Sequence, residues 1–150
     1  MASRKYSTSG ATVTAATKTM LTLVSAATVR PCIAEIQVSS AGTPADNAAQ
    51  YQLKRFTAAP TVTAFTPVAI DPADPASLCS SGFNASAEGT YTASSQLDDF
   101  ATNQRATVRI VANPGYEFRA PATAANGLGL QCIAIGGAGI STLVTFLYEE

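Results

Sequence analysis

Hydrophobic and polar positions in this chain follow a two-residue period far more often than a helical one. Thr17–Ser25 interleaves threonines with Met20, Leu21, Leu23 and Val24. Arg30–Ser39 sets Ile33, Ile36 and Val38 beside Cys32, with Glu35 and Gln37 among them. In the segment Tyr51–Phe56, Tyr51 and Leu53 share one side of an extended backbone while Gln52 and Lys54 share the other. Val62–Ile70, Ala106–Ala112, Leu128–Ile135 and Thr142–Tyr148 add further runs rich in β-branched and aromatic residues. Such runs predict strands rather than amphipathic helices.

Breakers separate the runs. In Asn113-Pro114-Gly115 the asparagine bonds its own backbone, proline presets φ, and glycine permits positive φ. Asn126-Gly127 reads as another turn, and Gly136-Gly137-Ala138-Gly139 as a hairpin loop joining the last two strands. Thr43-Pro44-Ala45-Asp46 and Asp71-Pro72-Ala73-Asp74 are chemically alike: a capping oxygen, a proline, then a carboxylate. Thr43 and Asp71 are expected to accept backbone N–H groups, Pro44 and Pro72 to fix φ, and Asp46 and Asp74 to face free amides in tight turns. Ala76–Asp99, poor in large apolar residues, is expected to be loop-rich. The pattern predicts an all-β, jelly-roll-like antiparallel sandwich of about eight strands. Residues 1–10 are read as an N-terminal arm and 11–150 as a single domain.

Composition sharpens this picture. The chain has 150 residues, 47% of them hydrophobic, and a net charge of −1. Charged residues are only 13%, about half the usual share of roughly 25%. A surface so thin in charge, and rich in Ser, Thr, Ala and Gln, is expected to be covered by other subunits. The near-neutral balance speaks against nucleic acid or an anionic membrane as direct partner. Three cysteines, Cys32, Cys79 and Cys132, lie far apart, and Cys32 and Cys132 fall in apolar runs that suit buried free thiols. The polar N-terminus makes a poor signal peptide, and no apolar run approaches membrane-spanning length.

Candidate chemistry is sparse. The sequence contains no histidine, which removes the usual general base and the most common metal ligand. The carboxylate pairs Asp71/Asp74, Asp98/Asp99 and Glu149/Glu150 stand in turn-like or terminal sequence, where capping is expected. No enzymatic site, cofactor or metal centre is expected. The basic residues are the more informative group. Arg105, Thr107 and Arg109 are expected on one strand face, opposite Ala106, Val108 and Ile110. That face is either solvated or pairs with a neighbouring subunit, for which arginine is well suited. Arg30, Lys54 and Arg55 raise the same question on other strands, and Arg4 and Lys5 in the N-terminal arm.

Five phrases carry a resemblance in order along the chain. They are Ala27-Thr28-Val29-Arg30-Pro31, Gly42-Thr43-Pro44-Ala45-Asp46-Asn47-Ala48, Asp71-Pro72-Ala73-Asp74-Pro75-Ala76, Asn103-Gln104-Arg105-Ala106-Thr107 and Pro121-Ala122-Thr123-Ala124-Ala125-Asn126-Gly127. Together they resemble tailed-bacteriophage head proteins that decorate or cement the capsid. The resemblance implies a jelly-roll-like subunit, commonly a homotrimer, bound to the major capsid protein on the outside of the shell. It implies no catalytic residue. A tail, fibre or head-spike component that binds a host-surface carbohydrate is the second expectation. The protein would be made in the host cytoplasm and reside on the virion.

Overall fold

A computed structural model describes residues 3–150. Twelve strands run through it: β1 (Lys5–Val13), β2 (Lys18–Val24), β3 (Cys32–Ala41), β4 (Ala48–Ala58), β5 (Thr61–Phe65), β6 (Val68–Ala69), β7 (Ser80–Ala87), β8 (Thr90–Asn103), β9 (Val108–Val111), β10 (Phe118–Arg119), β11 (Gly127–Ile135) and β12 (Ser141–Glu149). They form two antiparallel sheets. One has the order β10-β3-β12-β1-β6, with β9 also on β3, and the other β5-β7-β2-β11-β4-β8.

The pairing is nested. β4 pairs β8, β3 pairs β9, β2 pairs β11 and β1 pairs β12, as in one long hairpin. Wrapping that hairpin also sets β12 beside β3 and β11 beside β4. Eight strands connected in this way make a jelly roll. Of the remaining four, β10 adds two residues to β3 beside β9, and β5, β6 and β7 belong to an insertion between β4 and β8. It extends the second sheet beyond β2 and the first beyond β1, covering that side of the sandwich.

The core lies between the sheets. Ile33, Ile36, Val38, Val144 and Phe146 enter from the first, and Leu21, Leu23, Leu53, Leu128 and Leu130 from the second. Tyr6 and Tyr148 stack at 5.5 Å between centroids toward one end. Six of the nineteen threonines are interior: Thr8, Thr12, Thr14, Thr19, Thr22 and Thr142 are all buried. Thr8 Oγ1 lies 2.5 Å from Ser81 Oγ, which donates to Thr22 O at 2.7 Å, while Thr12 Oγ1 donates to Met20 O at 3.0 Å. These bonds remove most of the penalty for burying the Thr8, Thr12 and Ser81 hydroxyls, whereas Thr142 Oγ1 is buried without a hydrogen-bond partner. Part of the compositional signal for a subunit-covered surface therefore belongs to the interior.

Several expectations need correction. Residues 5–10 are not an arm: they belong to β1, which pairs with β12 over nine positions from Lys5↔Glu149 to Val13↔Ser141. Met1 and Ala2 lie outside the described residues. Ala76–Asp99 is not loop-rich, since β7 and most of β8 occupy it. Its Ser, Ala and Gly residues lack hydrophobic contrast, and pairing with β2 and β4 supplies what their propensity does not. Val62–Ile70 is divided at Thr66-Pro67, so that β5 and β6 join different sheets. The glycine-rich segment after β11 is a crossover between sheets, not a hairpin loop. A β-carbon at Gly139 would fall 2.0 Å from Thr14 O, so this crossover rests directly on the β1–β2 connection.

The twin proline phrases also diverge. Asp71 caps its turn, accepting Ala73 N–H at 2.9 Å on Oδ1, and Asp74 N–H reaches Asp71 O at 3.0 Å. Thr43-Pro44-Ala45-Asp46 forms no such turn. Its loop is held from the side: Ala45 N–H donates to the buried Gln104 Oε1 at 3.3 Å, and Asn103 Nδ2 donates to Asp46 Oδ1. Gln104 Nε2 reaches Gly136 O at 3.3 Å and Ala138 O at 3.4 Å, tying the connections at this end together.

Candidate functional site

The basic residues singled out in the sequence do not share one face. Arg109 projects from β9 and makes a two-point pair with Glu35: Nε donates to Oε1 and Nη2 to Oε2, each at 2.6 Å. Gln37 Nε2 donates to the same carboxylate at 2.6 Å. The Arg109 and Gln37 hydrogen bonds hold the Glu35 carboxyl below the usual carboxylate range, against the opposing effect of burial. Arg105 is not on the strand with Arg109. It lies in the turn after β8, where its Nε donates to Pro44 O at 3.3 Å. The expected Arg105–Thr107–Arg109 face is therefore broken because β9 starts only at Val108.

Lys54 extends over the outer side of the second sheet, donating to Gln131 Oε1 at 3.2 Å, with its Nζ 5.9 Å from the Tyr91 ring centroid. Tyr91 closes this region by lying over Gly129 and edge-on to Phe56. Glu88 adds bonds to Thr19 N–H at 2.8 Å and Gln131 Nε2 at 3.1 Å. The second sheet thus covers much of its own outer face. Lys5 pairs weakly with Glu149 at 3.8 Å, and the Arg4 backbone continues the β1–β12 ladder by exchanging hydrogen bonds with Glu150 at 3.3 and 3.0 Å. Cys132 is buried, whereas Cys32 is only half-buried; all three thiols are free.

Two features gather into candidate interaction surfaces. The first is the outer face of the first sheet, which the strand register lays out in rows. Val68, Ser7, Leu147, Glu35 and Val111 form one row. Ser9, Thr145, Gln37 and Arg109 form the next, followed by Ala11, Leu143 and Ser39, then Val13, Ser141 and Ala41. Val13, Val68, Val111 and Leu143 are exposed here by 57, 58, 59 and 43%. The only charges in these four rows are Glu35 and Arg109, which neutralise one another.

No protein-family model matches the chain, and no similar curated protein or solved structure is found. The surfaces themselves must carry the functional reading.

The second feature is a cleft of about 690 Å³ on the side away from the insertion, where β8 and β9 leave the sandwich open. It brings together Arg30, Arg55 and a third arginine, Arg119, which the sequence reading missed. Arg119 sits on β10, a two-residue strand too short to leave a pattern. Leu97, Ile110 and Phe118 form the apolar lining, continuous with the core. Tyr116 stands at its rim, 79% exposed, on the Asn113–Tyr116 turn closed by a 2.9 Å hydrogen bond. Glu117 accepts from Gly115 N–H at 2.8 Å and Arg119 Nη2 at 2.9 Å, and these bonds, the glycine first, pull it down to about 2. Arg55 Nε donates to Arg119 O at 3.1 Å. Arg30 is exposed and makes no ion pair with a described carboxylate.

Proposed function

We propose that the protein is a structural virion component that binds the outside of a tailed-bacteriophage capsid and decorates or cements the major-capsid-protein lattice as a homotrimer. The observation that carries this reading is the outer face of the first sheet. Four exposed aliphatic residues, small hydroxylated neighbours and a self-neutralised ion pair make a surface that loses little on desolvation. The apolar residues are spread among small polar ones, with Val13 and Leu143 in adjacent rows and Val68 and Val111 on opposite edge strands, a mixed face that offers many modest contacts rather than one apolar patch. Such a face suits repeated attachment to a lattice, where modest contacts gain from multivalency and binding stabilises the bound state by mass action.

The test uses capsids of the encoding phage that lack this protein. Added wild-type protein should raise their thermal disruption temperature, and densitometry of complete virions should give copies in the hundreds. Leu143→Lys, at an exposed position, should leave the isolated protein folded and remove the protection. No protection by the wild-type protein, or a copy number in the tens or lower, would overturn the reading.

A second reading is favoured by one observation. Tyr116, beside Asn113, Glu117 and Arg119, is an exposed aromatic platform with polar neighbours, as a sugar site requires. It suits a tail, fibre or head-spike component that holds a host-surface carbohydrate. Low copy number together with binding to host-cell glycans would select it.

A further inference from the structure

The arginine cleft offers chemistry that the flat sheet face lacks. Three arginines and one carboxylate, Glu117, line the cleft, a surplus of two positive charges among its lining residues in a chain whose net charge is −1, with Glu149 lying beyond Cys32 in the next pocket. The guanidiniums are not spent on one another. Arg119 is engaged by Glu117, Arg55 uses only its Nε on a backbone oxygen, and Arg30 has no ion-pair partner among the described residues. Between them the lining is apolar, because the gap between the sheets exposes the flanks of Leu97, Ile110 and Phe118. One wall is a strand edge as well: β9 pairs with β3 along one side only. Its other edge retains main-chain donors and acceptors for an added extended segment.

We propose that this cleft binds an extended acidic peptide segment of the partner protein, with one apolar side chain seated between the sheets and its flanking carboxylates on Arg30, Arg55 and Arg119. The proposal rests on the capsid reading for the source of the segment, and charge complementarity supplies its chemistry. Arginine forks bind carboxylates at two points, and they do so best at the margin of an apolar, water-poor surface. A saccharide would need hydrogen-bonding groups across the middle of the cleft as well as Tyr116, Asn113 and Glu117 at one side, and that middle is formed by Leu97, Ile110 and Phe118. A cationic or neutral segment would leave the surplus charge unanswered.

The test titrates full-length, ¹⁵N-labelled protein with the peptide acetyl-Asp-Asp-Leu-Asp-Asp-amide. Three comparison probes are the Lys-for-Asp peptide, the Gly-for-Leu peptide and a trimer of galacturonic acid. The acidic peptide should produce saturable shifts at the Arg30, Arg55 and Arg119 Nε–H signals and at the Val111 amide, weakening as salt screens the charges. Arg30→Glu should weaken binding about tenfold or more by reversing one contact, and its unchanged melting curve would show that the fold is kept. Equal binding of the Lys or Gly peptide would overturn the proposal. So would saturation of these signals by the uronate trimer alone, or no saturable binding at all.

Parallel assays on capsids separate this inference from the broader reading. Failure of peptide binding while wild-type protein still protects capsids, and Leu143→Lys does not, removes the cleft proposal alone. Specific peptide binding without any capsid protection removes the capsid source while the acidic-peptide site stands.

Discussion

Gly129→Ala should destabilise the wild-type protein but become harmless, or slightly stabilising, when Tyr91 is also replaced by alanine. The added β-carbon would stand 2.3 Å from Tyr91 Oη. This hydroxyl lies 2.6 Å from Thr19 Oγ1, and the ring meets Phe56 edge-on with centroids 5.9 Å apart. The far end of a tyrosine can move, but moving it gives up those contacts. The hydrogen bond contributes about 1 kcal/mol, the aromatic pair about 1 kcal/mol, and the Lys54 contact about 0.5 kcal/mol. Alanine returns about 0.5 kcal/mol over glycine in a strand interior. The expected net loss is about 2 kcal/mol, or a fall in Tm of roughly 4–8 °C for a chain of this size. Urea unfolding followed by far-UV circular dichroism measures it, with an unchanged m-value confirming comparable transitions. In the Tyr91→Ala background the same glycine substitution should change stability by less than about 0.5 kcal/mol or improve it. An equal loss in both backgrounds would refute the reasoning. The assignment of the second sheet's outer face as self-covered, which leaves the first sheet's face for partners, would weaken with it.

Two further outcomes follow from the charges and thiols. Because the folded Glu35 carboxyl is held below its usual range, its contribution to stability is complete above the unfolded value and is lost as pH falls through the folded one. Arg109→Met should therefore flatten the decline in urea midpoint between about pH 5 and about pH 2; an unchanged acid limb would contradict the Arg109–Glu35 assignment. Burial pushes Cys79 up to about 12 and Cys132 up to about 11, while Cys32 is only half-buried. A chromogenic disulfide reagent near neutral pH should react promptly with one thiol and with the other two only on unfolding. Prompt reaction of two or three thiols would show that the core admits reagent.

The strands that were legible are those whose interior positions carry large apolar side chains. β12 presents Val144, Phe146 and Tyr148 to the core by simple alternation, and β3 presents Ile33, Ile36 and Val38, the opposite parity of Ile33 and Ile36 being reconciled by a bulge at Ala34. β1 was hidden because two of its interior positions are Thr8 and Thr12, whose burial depends on hydroxyl partners supplied by β2 and β7. β8 was hidden because it is an edge strand made largely of Ser, Thr and Ala, registered on β4 through several bulges. In both cases pairing partners distant in sequence decide the conformation, and no local pattern encodes them. The same holds at the two proline phrases, where Asp71 caps within its own turn while Thr43-Pro44 depends on Gln104, about sixty residues away.

The candidate sites show the same division between local and distant information. Arg30 and Arg55, singled out in the sequence as candidate interface residues, converge on one cleft. Their convergence follows from topology: the insertion between β4 and β8 closes the β1/β2 side of the sandwich, while among the described residues only the turn before β10 and β10 itself border the β8/β9 side. An open side of a sandwich exposes apolar flanks that would ordinarily be covered. Here the rim is instead furnished with Arg30, Arg55 and Arg119, which discourage a purely apolar partner and select for carboxylates at the same edge. Under the proposed capsid role, the neutral sheet face and the cationic cleft would divide two tasks that one surface performs poorly. In that proposal the flat face would make broad contact across the lattice, and the cleft would recognise one particular segment within it.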